Sequence, residues 1–208
     1  ELAIAALLVS VIIALPAGIL AAVKQYSIID NVTMFGALLG VSMPNFWLAL
    51  LLILFFSLHM GLLPTFGYGG LRYLVLPAIT LGTGLAAVTT RLVRANILEI
   101  LNKEYVRYAR SKGVSRRRII YHHVLKNALI PVVTVVGLQF GSLLEGTVIV
   151  EVIFARPGLG RLLYDSIFAR DIPVIQGCVL FFAMSYTFVN LLVDISYTWL
   201  DPRIRYED

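Results

Sequence analysis

Few residues in this chain have the type and spacing for covalent chemistry, and their surroundings argue against most of it. His122 and His123 are sequence neighbours in a helix-forming stretch, so they point to different faces and cannot share one metal. Cys178, the single cysteine, lies inside an apolar run and reads as a small buried hydrophobe; no disulfide framework or cysteine-rich metal site is expected. Gly158-Leu159-Gly160 has no strand before it and no third glycine after it, so it is not a dinucleotide fingerprint. There is no Gly-Lys-Ser/Thr phosphate loop and no nucleophile with its base. The chain is expected to be non-catalytic, with no metal and no cofactor of its own.

Polar residues inside apolar segments remain. Gln139, Ser142, Glu145 and Gly146 fall on one helical face, Thr80, Thr83, Gly84 and Thr90 on another, and Tyr186, Asn190, Asp194 and Tyr197 on a third. Such residues are costly against lipid, so they either line a path through the membrane or hydrogen-bond neighbouring helices. Glu145 leans to path or gate, because an ionised carboxylate costs up to ~3 kcal/mol near the bilayer centre. Pro44 frees a backbone carbonyl and kinks its helix beside Asn45, which either contacts a substrate or merely follows a bend. Gly36-x-x-x-Gly40 and Gly137-x-x-x-Gly141 are spacings that let helices approach closely.

The elements that carry these residues follow from composition. Hydrophobic residues make up 59% of the 208 and charged residues 14%, too few charges to cover a soluble domain. A hydrocarbon core ~30 Å thick needs about 20 helical residues. Five segments qualify: residues 2–23, 32–58, 77–101, 128–150 and 174–200. They must be helices, since lipid offers no partner to an open strand. The first run lacks the basic n-region of a cleavable signal, so a further upstream segment is expected.

Basic residues orient the chain. Thirteen of the 17 Lys and Arg fall on one side of the five spans and four (Arg72, Arg156, Arg161 and Arg170) on the other. The positive-inside rule therefore puts the N-terminus outside and the C-terminus in the cytoplasm. The net charge of +5 is thus accounted for by topology, without nucleic acid. Outside, residues 59–76 read as irregular, while Leu159, Leu162, Leu163 and Ile167 predict a short amphipathic helix. Asp171 then N-caps the fifth span, with Pro173 in its first turn.

Residues 102–127 join spans three and four in the cytoplasm and are too patterned for a linker. Glu104–Ser111 predicts a short helix, Gly113 breaks it, and Ser115 caps a second helix running into His122, His123 and Leu125. Arg116, Arg117 and Arg118 stand in the first turn of that second helix, where the macrodipole disfavours cations by a few tenths of a kcal/mol each, roughly. They form a solvated or lipid-facing basic surface, or a dock for an acidic partner.

Glu104-Tyr105-Val106-Arg107-Tyr108-Ala109-Arg110-Ser111-Lys112-Gly113-Val114-Ser115, followed by Leu125-Lys126-Asn127-Ala128-Leu129-Ile130-Pro131, resembles the cytoplasmic "EAA" loop of binding-protein-dependent ABC importer permeases. Val41-Ser42-Met43-Pro44-Asn45-Phe46-Trp47, Phe154-Ala155-Arg156-Pro157-Gly158-Leu159-Gly160 and Leu200-Asp201-Pro202-Arg203-Ile204-Arg205-Tyr206 are similar to the dipeptide/oligopeptide/nickel branch, the last to its B-type subunit. Arg107-Tyr108-Ala109 stands where the general pattern has Glu-Ala-Ala, which leaves Glu104 as a nearby candidate for the glutamate's role. The generic loop-end Ile and Pro fall at His123 and Lys126.

The resemblance implies an all-α type I ABC importer transmembrane domain over residues 1–208, with five spanning helices and without the family's N-terminal span. It implies a bacterial or archaeal cytoplasmic membrane, a second (C-type) permease subunit, two cytoplasmic ATPase subunits that bind ATP and Mg, and an external solute-binding protein. Glu104, Tyr105, Arg107, Ala109, Arg110 and Lys112 would wedge into the ATPase with Gly113 as the corner, joined by Arg116 and Arg117. Asn45, Gln139, Ser142, Glu145, Asn190 and Asp194 would lie along the path or its gate. The cargo would be a peptide, glutathione or a nickel chelate. An ion-gradient-driven secondary transporter, with Glu145 and Asp194 as proton sites, is the competing reading.

Overall fold

The structure, a computed structural model, describes residues 1–200, apart from the side chains of Arg116, Leu144, Glu145, Asp194 and residues 196–200. The described residues form helices and no strand. α1 (Leu2–Val23), α4 (Arg72–Leu101) and α10 (Ile172–Leu200) are long and apolar enough to cross a bilayer unbroken.

The other two expected spans are each a bent pair of helices, so the count of five holds if each pair is taken as one span. α2 (Ile28–Ser42) and α3 (Asn45–Leu52), with its continuation as a wide π-turn over Ile53–His59, meet at 105°. Pro44 is the N-cap of α3, so its missing N–H and fixed φ turn what looked like a kink into a corner. α5 (Glu104–Ser111) is followed by α6 (Arg116–Arg118), a π-turn (Ile119–Val124) and α7 (Leu125–Ala128). These lead into α8 (Ile130–Ile153) through a 42° bend. α9 (Leu159–Ala169) lies between α8 and α10. α4 begins at Arg72, five residues before the expected start at Pro77.

α1 is two-faced by size rather than by polarity. Ala6, Ser10, Ala14, Gly18 and Ala22 recur every four residues and are buried, while Ile4, Leu8 and Ile12 on the opposite side are exposed. The small row lies against α4, where a Cβ on Gly82 would come 2.8 Å from the Ala6 carbonyl, and one on Gly18 2.7 Å from Val93. With lipid outside there is no gain from hiding large apolar groups, so close backbone approach supplies the attraction. Gly137 and Gly141 do the same for α8 against Val193 and Tyr186 of α10, as their spacing predicts.

Two apolar clusters close the ends of the bundle. One gathers Leu2, Ile53, Leu76, Val150 and Phe154; the other gathers Ala22, Ile97, Val106, Ile119, Val124 and Val132. Most of α10 is exposed, including Phe181, Met184 and Phe188.

Candidate functional site

α5 is fixed to the bundle along one apolar line. Val106 is fully buried in the cluster with Val93, Ile97, Ile119 and Val124, and Ala109 packs half-buried beside it. Glu104, Tyr105, Arg107, Tyr108, Arg110 and Lys112 are exposed, giving a short helix with one apolar line and a wide charged face. Ala109 therefore turns its small side chain towards the chain's own core. Gly113 takes φ +78°, the left-handed conformation glycine tolerates, and makes the corner that the sequence predicts. The second helix starts at Arg116, directly after Ser115.

Polar bonds lock the two helices together. The Asn127 Nδ2 donates to the Tyr105 hydroxyl and to the His123 carbonyl, both at 3.1 Å. Lys112 Nζ lies 4.6 Å from the centre of the Tyr108 ring, a contact residue spacing alone does not single out. Lys103 pairs with Glu99 at 2.8 Å; that hydrogen bond raises the lysine pKa, but both groups are exposed and the pair adds little stability. Arg117 and Arg118 are exposed, while the Arg116 side chain lies outside the described residues.

Among the described residues, those expected along a path are not gathered into one cluster. Gln139 is buried: its Nε2 donates to the Thr89 hydroxyl at 3.1 Å and to the Leu85 carbonyl at 3.4 Å, joining α8 to α4. Ser142 is exposed and donates to the Gln139 carbonyl at 2.8 Å. Thr80 is buried and donates to its own helix at Leu76, Thr83 likewise to Ile79, and Thr90 is buried as well. Asn45 is exposed at the α2–α3 corner, its Oδ1 3.9 Å from where a Cβ on Gly84 would stand. Asn190 is half-buried on α10, and its Oδ1 has no hydrogen-bond partner among the described residues. Glu145, Gly146 and Asp194 fall outside what the structure describes of side chains, as does the 201–206 ending altogether.

At the opposite end of the bundle the structure gives the Arg156-Pro157-Gly158-Leu159-Gly160 stretch a reason. The Glu151 carboxylate accepts a hydrogen bond from the Arg161 N–H at 3.0 Å and so caps α9 from the end of α8. A Cβ on Gly158 would collide with that carboxylate, and one on Gly160 would come 2.7 Å from the Val148 backbone. Arg156 is buried, paired with Glu1 at 2.8 Å and set over the Tyr68 ring at 5.0 Å. Asp171 caps α10, accepting from Val174 at 3.3 Å, as predicted.

One pairing had no signal in the sequence. Asp30, at the start of α2, is buried and accepts from Arg94 Nε at 2.6 Å and Nη2 at 2.7 Å, and from the Tyr26 N–H at 2.9 Å. The two residues are 64 positions apart, and the apolar run over 32–58 begins beyond Asp30.

A bundle of straight and broken spans, with a short charged helix slung between the third and fourth, defines the membrane-spanning subunit of a type I ABC importer. The chain belongs to the family of binding-protein-dependent transport system inner membrane components, whose model matches residues 14–206. It is 46% identical over 206 residues to the glutathione transport system permease protein GsiC of Escherichia coli (strain K12), an alignment that covers 99% of this chain and 67% of that protein. GsiC of Shigella boydii is 45% identical over the same extent. Among solved structures, an inward-facing MetNI methionine ABC transporter matches with TM-score 0.79 at 19% identity, over 96% of this chain and 91% of that one. An amino acid ABC transporter with histidines matches with TM-score 0.74 at 18% identity, over 95% and 88%. These last two share the fold. Family membership sets aside the ion-gradient-driven alternative.

Proposed function

We propose that this chain forms half of the translocation path of an importer for glutathione or similarly small peptides, driven by ATPase subunits that grip α5. The observation that carries the reading is α5 itself. It is anchored through buried Val106 and shows a charged face at the turn between two spans. A helix fixed to spans at both ends converts a push on its exposed face into tilting of those spans. Arg107, Arg110 and Lys112 are placed to pair with acidic groups of a partner. The named function of the GsiC relatives supports the cargo class. A second permease subunit would cover the apolar surface that α10 leaves open, and an external binding protein would deliver the cargo. The excess of basic residues on the α5 side supports a cytoplasmic α5 and an outer α9.

The test is uptake by vesicles holding the complete importer. Glutathione or peptide uptake should require ATP on the α5 side and survive collapse of the proton gradient. Gly113→Pro, which cannot adopt φ +78°, should release or uncouple the ATPase subunits while the spans stay inserted. Uptake that follows the proton gradient, or normal transport with Gly113→Pro, would overturn the reading.

A further inference from the structure

α2 is held in an unusual way. Among its described residues Asp30 and Ala37 alone are buried. Its middle faces α4 across a cavity of about 260 Å³ whose lining includes Thr33, Gly36, Thr83 and Thr90. A Cβ added at Gly36 would meet nothing within 4 Å, whereas one at Gly40 would come 3.1 Å from the Cβ of Ala87. Contact with α4 is thus close near Gly40 and again at the Asp30–Arg94 pair, with loose space between.

The pair is built to hold position. The guanidinium offers two parallel donors to the two carboxylate oxygens, at 2.6 and 2.7 Å, and the carboxylate takes a third bond from the Tyr26 N–H. Ser27 caps the same helix end, its hydroxyl accepting from the Asp30 N–H at 3.4 Å. Sliding apolar faces past one another loses little, but a bidentate pair is lost within a shift of ~1 Å.

Its place in the chain gives it a task. Arg94 lies on the unbroken α4, which ends at Leu101, just before α5 begins at Glu104. That is about 10 Å along one rigid helix. At its other end α2 stops at the 105° corner of Pro44, where Asn45 is exposed.

We propose that Asp30 and Arg94 are positioning residues of the transport stroke: through this pair the α5 end of α4 carries α2, and with it the corner at Asn45. The proposal rests on the reading of α5 as the ATPase-gripped helix. Packing adds little to this, because between Asp30 and Gly40 only Ala37 of α2 is buried.

The experiment compares the complete importer in vesicles as wild type, D30N, R94K and the reversed pair D30R/R94D, measuring uptake and ATP hydrolysis together. In assembled D30N and R94K complexes, ATP hydrolysis should continue while transport per ATP falls about tenfold, with substrate KM unchanged. The reversed pair should recover part of that ratio over either single variant. The proposal is overturned if assembled variants keep the wild-type ratio, or if uptake and hydrolysis fall in parallel. It is equally overturned if both D30N and R94K fail to assemble, since the pair then serves folding alone. A wild type that needs no ATP would instead refute the underlying reading, a distinguishable result.

Discussion

α1 and α2 both run against α4, and they are held to it by opposite means. α1 lays a row of small residues against α4, with close approaches at Gly82 and at Thr90 and Val93, where the helices nearly touch backbone to backbone. α2 is pinned at one end by a buried ion pair and approached closely at Gly40, with open space between. The first arrangement makes a rigid unit, because every residue along the seam would have to give at once. The second leaves a helix held at its Asp30 end by one strong, directional contact, which would suit a part that follows a moving neighbour.

The strongest way to break this comparison is Gly18→Leu. Its Cβ would stand 2.7 Å from Val93 and 2.8 Å from the Thr90 carbonyl, and backbone cannot step aside. The cost should reach or pass ~3 kcal/mol, the upper end of ordinary overpacking, and appear as a large fall in detergent-solubilised protein and in Tm. Next in size is Arg94→Lys, which keeps the charge but loses the fork. It should weaken the pair by about 1.5–3 kcal/mol. Hydrogen exchange should then speed up in α2 and stay unchanged in α1; equal acceleration in both would show that the two helices are not held independently. The smallest effect sharpens the contrast: Gly36→Ala meets open space and should stabilise α2 by about 0.5–1 kcal/mol through helix propensity, readable as a small rise in Tm. A loss there would mean that α2 packs more tightly than its surroundings indicate.

Much of the candidate site was legible without coordinates. The limits of α5, the Gly113 corner, α9 and the Asp171 cap are local events, set by caps, glycine and the 3.6-residue period, and each is found where the residues predict it. The polar residues within spans were visible as a set, but not their partners. Gln139 bonds Thr89 fifty positions away, and nothing in either segment names the other. Asp30 stands just outside an apolar run, where a solvated charge is ordinary, so the sequence does not mark it. Burial is what makes it informative, and burial is a property of the assembled bundle.

By itself the sequence determined the membrane as solvent, the number of apolar segments, the helix stops and the charged loop between the third and fourth of them. Hydropathy and turn chemistry act over a few residues, so they survive being read one stretch at a time. Only the tertiary structure decided that two segments are broken, that Glu151 caps α9 through space made by Gly158 and Gly160, and that Arg94 takes Asp30 as its partner. Those outcomes depend on which helices meet and how closely, and a charge chooses its partner by distance after packing, not by its place along the chain.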